Sequence, residues 1–384
     1  MEPGHERVKA GRAAQARRDR DDQHEVRRQA RRRRDPLRGR PVVRAREHGL
    51  TGHQDGDPGH HHTERQREPD HAGLRATWIA GAYRGPDDER SDPEDVQRRA
   101  ERTEAEGRSD VLTGEEILYA RVGGQTIAYR TAGRGEPLVL LHGFLCDSRC
   151  WRGQLTGLAD RFHVVAWDAP GAGASSDPAE TFTITDWARS LAGFLDELGI
   201  ARAHLLGLSW GGMLAQEFFR LHPARVDHLV LADTYAGWKG SLPEAAVEQR
   251  RARCYRDASR PAQDVVAEWV PKDFFLSASP ELAEEMAAVV ADFHPVGFRL
   301  MARSLADTDT TPMLETIDRP TLLLWGEGDT RSPLSVAKQM HAAVRGSELR
   351  VITGAGHVSN MEKPEDFNRL VLEFLLDSQR DPAA

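Results

Sequence analysis

The sequence predicts an α/β protein: a doubly wound, mostly parallel sheet with a helical cap inserted after the sixth strand. Three observations predict it. The continuous apolar run Pro137–Leu141 and the mostly apolar Ala203–Leu208 and Thr321–Trp325 read as buried strands, as parallel sheets require. Segments with apolar residues at helical spacing separate them, so strands and helices alternate. From 237 to 310 the pattern changes to polar-rich helical segments with no strand signal.

The 384-residue chain carries a net charge of −8, but its two ends differ sharply. Residues 1–110 hold 25 Lys and Arg against 23 Asp and Glu, half of the 16 histidines, and no aromatic residue before Trp78. Such a segment buries too little apolar surface to offset the entropy of ordering and reads as a disordered, arginine-rich extension. Its first 46 residues contain 16 bases and 7 acids, including Arg31–Arg34, so a basic arm for a nucleic acid or another polyanion is the alternative. A third reading is a mis-assigned start. No Met lies between Met1 and Met213, so a start nearer the domain would use another codon, for instance at Val111. His60-His61-His62 reads as polar tail rather than a metal site.

Residues 111–384 carry 27 bases and 37 acids with regular apolar periodicity, and form the folded part: core at 111–236 and 311–384, cap at 237–310. Ile117–Val122, Gly123-Gly124 and Gln125–Arg130 predict a β-hairpin. Pro137–Leu141 is a buried strand ending in His142-Gly143-Phe144, followed by a helix around Trp151 and Leu155. Phe162–Trp167 is the next strand. The loop Asp168–Ser175 is rich in glycine but lacks the dinucleotide spacing, so it reads as a tight turn at the rim of a site. Ile184, Trp187, Leu191, Phe194, Leu195 and Leu198 mark a helix stopped by Gly199. The strand Ala203–Leu208 runs into Gly207-Leu208-Ser209-Trp210-Gly211 and then a helix carrying Met213, Leu214, Phe218 and Leu221, closed by Pro223. Val226–Ala232 is the sixth strand, ending at Asp233. Thr321–Trp325 and Leu349–Thr353 are the last two, and Pro364 opens a closing helix.

Gly-x-Ser-x-Gly between a strand and a helix is the context of a nucleophile elbow, where only glycines fit beside a serine held in a strained conformation. A serine hydroxyl needs a base, usually histidine, oriented by a carboxylate, and on this scaffold the chain order is serine, acid, histidine. Asp329 follows the strand 321–325 through Gly326-Glu327-Gly328, and His357 follows the final strand through Gly354-Ala355-Gly356. Asp233 also ends a strand and is the alternative acid. The backbone amides of Trp210, at the start of the elbow helix, and of Phe144, after the third strand, are the expected oxyanion donors. His142 is expected to pack and hydrogen-bond beneath that loop, and Cys146 and Cys150 to fill the adjacent helix.

These motifs together resemble the α/β-hydrolase fold over residues 115–380: Leu-Leu-His142-Gly-Phe, Asp168-Ala-Pro-Gly-x-Gly-x-Ser, Gly-Leu-Ser209-Trp-Gly-Gly, Trp-Gly-Glu-Gly-Asp329 and Gly-Ala-Gly-His357-x-x-x-x-Glu-x-Pro. The capped members it is similar to include 3-oxoadipate enol-lactonases, haloperoxidase-like esterases, carbon–carbon bond hydrolases and proline iminopeptidases. The resemblance implies a serine hydrolase without metal or cofactor, acting on a small ester or lactone through an acyl-enzyme. Serine at the elbow, where dehalogenases and epoxide hydrolases carry aspartate, favours acyl transfer. Carbon–carbon bond or iminopeptidase chemistry on the same residues is the alternative, as is a non-catalytic ligand-binding receptor of this fold. In the cap, Trp238, Trp269, Phe274, Phe275, Phe293 and Phe298 are candidates to line a substrate pocket. Arg250, Arg251, Arg253 and Arg256 read either as a solvated face or as partners for a substrate carboxylate.

No run approaches the ~18 apolar residues of a membrane span. The charged N-terminus lacks the apolar core of a secretory or twin-arginine signal. Three cysteines form neither a disulfide framework nor a zinc spacing, which together predicts a cytoplasmic protein with a small-molecule partner and no membrane partner. Nucleic acid enters only through the arginine-rich segment, and oligomeric state is left open.

Overall fold

The structure is a computed structural model that describes residues 114–377. The arginine-rich segment 1–110, with its alternative readings, lies outside the described residues.

Eight strands form one sheet: β1 (Leu118–Val122), β2 (Gln125–Ala132), β3 (Glu136–Leu141), β4 (Phe162–Trp167), β5 (Ala203–Leu208), β6 (Val226–Ala232), β7 (Thr321–Gly326) and β8 (Glu348–Ile352). Their order is β1-β2-β4-β3-β5-β6-β7-β8. The β1–β2 and β2–β4 pairs are antiparallel and the others parallel. The β1–β2 hairpin turns at Gly123 and Gly124, both at positive φ (55° and 85°), as a two-residue turn between right-twisted strands demands. β5 and β7 are buried along their whole length, which explains their mostly apolar sequences. β8 lies at an edge and alternates less clearly, with Val351 exposed.

Helices α1 (Arg152–Gly157), α2 (Ile184–Glu197) and α3 (Trp210–Leu221) make the first crossovers. The path β3–α1–β4 moves toward one edge of the sheet, whereas β4–α2–β5 moves back across β3 toward the other. Right-handed crossovers therefore place α1 and α2 on opposite faces. The reversal leaves a crevice outside the carboxyl ends of β3 and β5, where open α/β sheets bind ligands. Local chemistry sets the helix ends. Thr183 and Asp186 form a capping box at the start of α2. At the far end of α3, His222 is the terminal residue and Pro223 begins a 3-10 turn. Trp151 belongs to a 3-10 turn, Ser148–Trp151, that precedes α1.

Between β6 and β7 the chain forms α4 (Gly237–Ser241), α5 (Glu244–Asp257), α6 (Ala262–Trp269), a π-helical turn (Val270–Phe274), α7 (Pro280–Ala291), α8 (Pro295–Asp307) and α9 (Thr311–Leu314). No strand occurs there. After β7 come α10 (Leu334–Ala343), α11 (Ser359–Glu362) and α12 (Pro364–Asp377), which packs against α1. The short α11 has no apolar periodicity to announce it. Among the described residues no helix is long and apolar enough to cross a membrane.

Far from the crevice, His204 of β5 and His228 of β6 face each other with Nδ1 atoms 3.0 Å apart, and His204 Nε2 lies 3.3 Å from Glu136. Burial lowers the pKa of both imidazoles, His228 to about 4. The unfolded chain therefore binds protons that the folded chain refuses, and stability falls as pH drops from about 6.5 toward 4. Allowing for partial exposure, the loss is on the order of 1–2 kcal/mol. The urea midpoint is expected to be lower at pH 5 than at pH 7.5, with a smaller difference in His228→Gln. Equal pH dependence in the two proteins would refute this.

Candidate functional site

The site is built on the turn from β5 to α3. Ser209 has φ 52° and ψ −113°, a conformation rarely open to a residue with a side chain. Close packing imposes it. A Cβ on Gly207 would lie 2.4 Å from the Gly211 carbonyl oxygen, and one on Gly211 would lie 2.0 Å from that of Leu141. The Ser209 N–H donates to Ala232 O at 2.8 Å, and the Thr234 hydroxyl donates to Ser209 O. These bonds hold the serine from both sides.

The structure brings Ser209, His357 and Asp329 together. His357 Nε2 is 2.9 Å from Ser209 Oγ, and His357 Nδ1 is 2.9 Å from Asp329 Oδ2. All three residues are buried. The carboxylate can only accept, so His357 carries its proton on Nδ1, and Nε2 is left to accept from the Ser209 hydroxyl. Asp329 Oδ1 accepts from the amides of Arg331 (2.8 Å) and Ser332 (3.0 Å), and the Ser332 hydroxyl donates to Oδ2. Burial alone would raise the Asp329 pKa, but the neighbouring imidazole and these hydrogen bonds outweigh it and hold the carboxyl below its usual range.

Asp233 lies close by without joining this line. Gly326 N–H donates to its Oδ1 at 2.7 Å, and the Ser359 hydroxyl donates to its Oδ2 at 2.5 Å. Among the described residues the imidazole goes to Asp329.

Phe144 and Trp210 flank the serine. A Cβ on Gly143 would lie 3.4 Å from Ser209 Cβ, so the chain at Gly143 runs directly against Ser209. Trp210 opens α3, and its amide has no intrahelical acceptor. His142 sits beneath, fully buried. Its Nδ1 is 2.8 Å from Gly143 O, and its Nε2 accepts from Ala169 N at 3.0 Å. Burial lowers its pKa and favours the neutral ring. Cys146 and Cys150 are buried and form no disulfide. The glycine-rich loop folds around the Asp168 carboxylate, which accepts from Ser148 N (2.7 Å) and Ala174 N (2.9 Å), and Gly171 packs on Gly297 of α8.

The expected pocket residues divide. Phe298 stacks on Phe144 with centroids 4.7 Å apart, Trp269 lies 5.8 Å from Phe144, and Phe293 meets Phe298 at 5.2 Å. A narrow cavity beside this cluster is lined by Leu145, Cys146, Gly173, Phe293, Phe298 and Met301, among others. Phe274 and Phe275 border the histidine loop instead, where Val358 N donates to Phe274 O at 3.1 Å. The Trp238 ring lies under the Arg250 guanidinium, 5.6 Å away.

The arginines of α5 are not a plain solvated face. Arg253 pairs with Asp273 at 2.7 Å and stacks 3.9 Å over Trp269, while Arg250 donates to Tyr235 Oη (2.8 Å) and Arg331 O (2.9 Å). Arg251 pairs with Glu248 and Asp307, and the more exposed Arg256 pairs with Asp257. Asp257 is fully buried and Asp273 mostly so, and these carboxylates draw the helix's cations inward.

Three participants were not singled out from the sequence. Ser332 and Arg331 fix the Asp329 carboxylate, and nothing in their neighbourhood announces it. Glu362 accepts from Gly356 N (2.6 Å), Ser277 N (2.5 Å) and Leu276 N (3.2 Å), tying the histidine loop to the helical insertion. Its fixed distance from His357 in the last motif was the available signal.

Residues 138–370 match the alpha/beta hydrolase family. The chain is 27% identical over 266 residues to 3-oxoadipate enol-lactonase 2 of Acinetobacter baylyi, covering 68% of this chain and 94% of that protein. It is 32% identical over 267 residues to a 2-hydroxy-6-oxononadienedioate/2-hydroxy-6-oxononatrienedioate hydrolase of Burkholderia vietnamiensis, covering 65% and 90%. Among solved structures, a thermophilic esterase from Thermogutta terrifontis aligns with a TM-score of 0.63 at 29% identity, over 68% of this chain and 98% of that one. With the sheet order, the strained serine turn and this match over more than half its length, the chain belongs to the alpha/beta hydrolase family.

Proposed function

We propose that the protein is a serine hydrolase that cleaves a small ester or lactone through an acyl-enzyme. The observation that carries this reading is the unbroken line from Ser209 Oγ through His357 to Asp329, with both gaps at 2.9 Å. Ser209 Oγ attacks the carbonyl carbon while its proton passes to His357 Nε2. The Phe144 and Trp210 amides receive the developing oxyanion, an effect worth about 3–4 kcal/mol for one such donor. The imidazolium then gives its proton to the leaving oxygen, which breaks the carbon–oxygen bond and leaves acyl-serine. Water repeats the sequence and releases the acid. Asp329 holds the imidazole in the required tautomer throughout.

The insertion over 237–310 acts in this reading as a cap. Trp269 and Phe298 pack on Phe144, Phe293 packs on Phe298, and these three are the pocket residues the geometry favours. Trp238 packs under Arg250 instead, and Phe274 and Phe275 border the histidine loop. The relatives named as an enol-lactonase and an esterase support ester or lactone chemistry. The 32% identity to the dienedioate hydrolase favours, as a second reading, carbon–carbon bond hydrolysis by the same three residues.

A fluorophosphonate probe tests the nucleophile. Wild type is expected to be labelled and Ser209→Ala to remain unlabelled, as read by intact-protein mass. Labelling that persists in Ser209→Ala would overturn the assignment. Rates on short-chain p-nitrophenyl esters, an enol-lactone and a ring-fission dienedioate then separate the two readings.

A further inference from the structure

Asp233 stands at the end of β6 with φ 46°, a left-handed conformation that Asp and Asn tolerate better than most residues, and its side chain is fully buried. Each of its oxygens has a donor on a different element, one at the end of β7 and one at the start of α11. Oδ1 accepts from Gly326 N–H, three residues before Asp329. Oδ2 accepts from the hydroxyl of Ser359, two residues after His357 and also fully buried. The loops after β7 and β8 meet at their bases, where Gly328 N donates to Ala355 O at 2.9 Å and Glu327 N donates to Ile352 O at 2.9 Å. The Asp233 carboxyl is the side chain that grips both from beneath. An apolar residue there would leave a buried N–H and a buried hydroxyl without this acceptor, at about 1–3 kcal/mol each.

We propose that Asp233 is a positioning residue: its carboxyl pins the β7 and β8 loops together so that Asp329 and His357 meet at hydrogen-bonding distance. The inference rests on the serine-hydrolase reading above. It assigns Asp233 a role in shape and hydrogen bonding, not in charge. Burial and the nearby Asp329 carboxylate push the Asp233 carboxyl well above the usual range, in keeping with a group that need not ionise. A carboxamide reproduces the grip, with its oxygen accepting from Gly326 N–H and its NH2 donating to Ser359 Oγ, and Asn also tolerates the left-handed backbone.

The experiment measures kcat and KM on p-nitrophenyl acetate for wild type, Asp233→Asn, Asp233→Ala and Ser359→Ala, each checked for folding by circular dichroism. Asp233→Ala and Ser359→Ala are expected to lose about 10–100-fold in kcat with KM nearly unchanged, the scale of an ångström-level misplacement of catalytic groups. Asp233→Asn is expected to recover most of that loss. If Asp233→Ala does not fold, Ser359→Ala and Asp233→Asn carry the test. Folded variants lacking the Ser359 bond that keep wild-type kcat would overturn the inference. So would an Asn variant as slow as Asp329→Asn, because the charge would then be the essential property. Wild type that neither turns over the ester nor reacts at Ser209 with fluorophosphonate would instead remove the hydrolase reading, and this inference with it.

Discussion

Asp329→Asn is expected to lower kcat on a p-nitrophenyl ester by about four orders of magnitude, with little change in KM or in thermal stability. The size follows from which way the carboxamide must lie. Oδ1 of Asp329 accepts two backbone N–H groups, from Arg331 and Ser332. In the variant those donors select the amide oxygen for that position, and the NH2 is left facing His357 Nδ1. Two donors cannot face each other, so the imidazole gives up its Nδ1 proton and carries it on Nε2 instead. That atom now points a proton at Ser209 Oγ and cannot accept one. Under the proposed mechanism Ser209 stays in place with His357 in the wrong tautomer, which separates this variant from one that has lost its fold. Asp233→Asn is the control. A deep loss at Asp233 with near-wild-type turnover at Asp329 would exchange the two acids and refute the assignment.

The contrast between these carboxylates marks how far the residues could be read before the geometry was known. Asp233 and Asp329 look alike in sequence: each follows the carboxyl end of a mostly apolar strand, β6 or β7. The order of strands places both near His357. Only the side-chain donors Ser359 and Ser332, and the amides of Gly326 and Arg331, decide which carboxylate is free to take the imidazole. Those donors lie on the 331–332 loop, at the last residue of β7 and at the first of the short α11, where no periodic pattern marks them. The same division runs through the fold. β3, β5 and β7 were legible because burial on both faces demands mostly apolar sequences, and α2 because one face packs inward while its first turn carries its cap. The arginines of α5 were not, because their partners, Asp273 and the Arg331 carbonyl, come from other parts of the chain. The aromatic cap residues were visible as a set, but their meeting at Phe144 depends on how α6 and α8 pack, which helical spacing does not encode.

Gly211→Ala is the substitution expected to damage both stability and catalysis most for the smallest chemical change. Its new methyl group would lie 2.0 Å from the Leu141 carbonyl oxygen and 2.6 Å from that of His142. Neither obstacle is a flexible side chain. Both belong to the backbone leading directly into Gly143 and Phe144, so relief requires α3 and the end of β3 to part by an ångström or more. Overpacking of this kind typically costs about 1–3 kcal/mol, and backbone-on-backbone contact puts this site at or above the upper end. The displaced segment leads into the Phe144 amide, the proposed oxyanion donor, and withdrawing one such donor costs about 10²–10³ in kcat. The expected result is a clear fall in urea midpoint together with a loss of kcat in that range among molecules that remain folded. Gly123→Ala separates crowding from backbone preference. That glycine has φ 55° and nothing within 4 Å of its would-be Cβ, so the variant should lose only about 1 kcal/mol and keep its kcat. Should Gly211→Ala match Gly123→Ala in both measurements, the turn is looser than its contacts indicate, and the close approach of β3 to α3 would not be what holds Ser209 against Phe144.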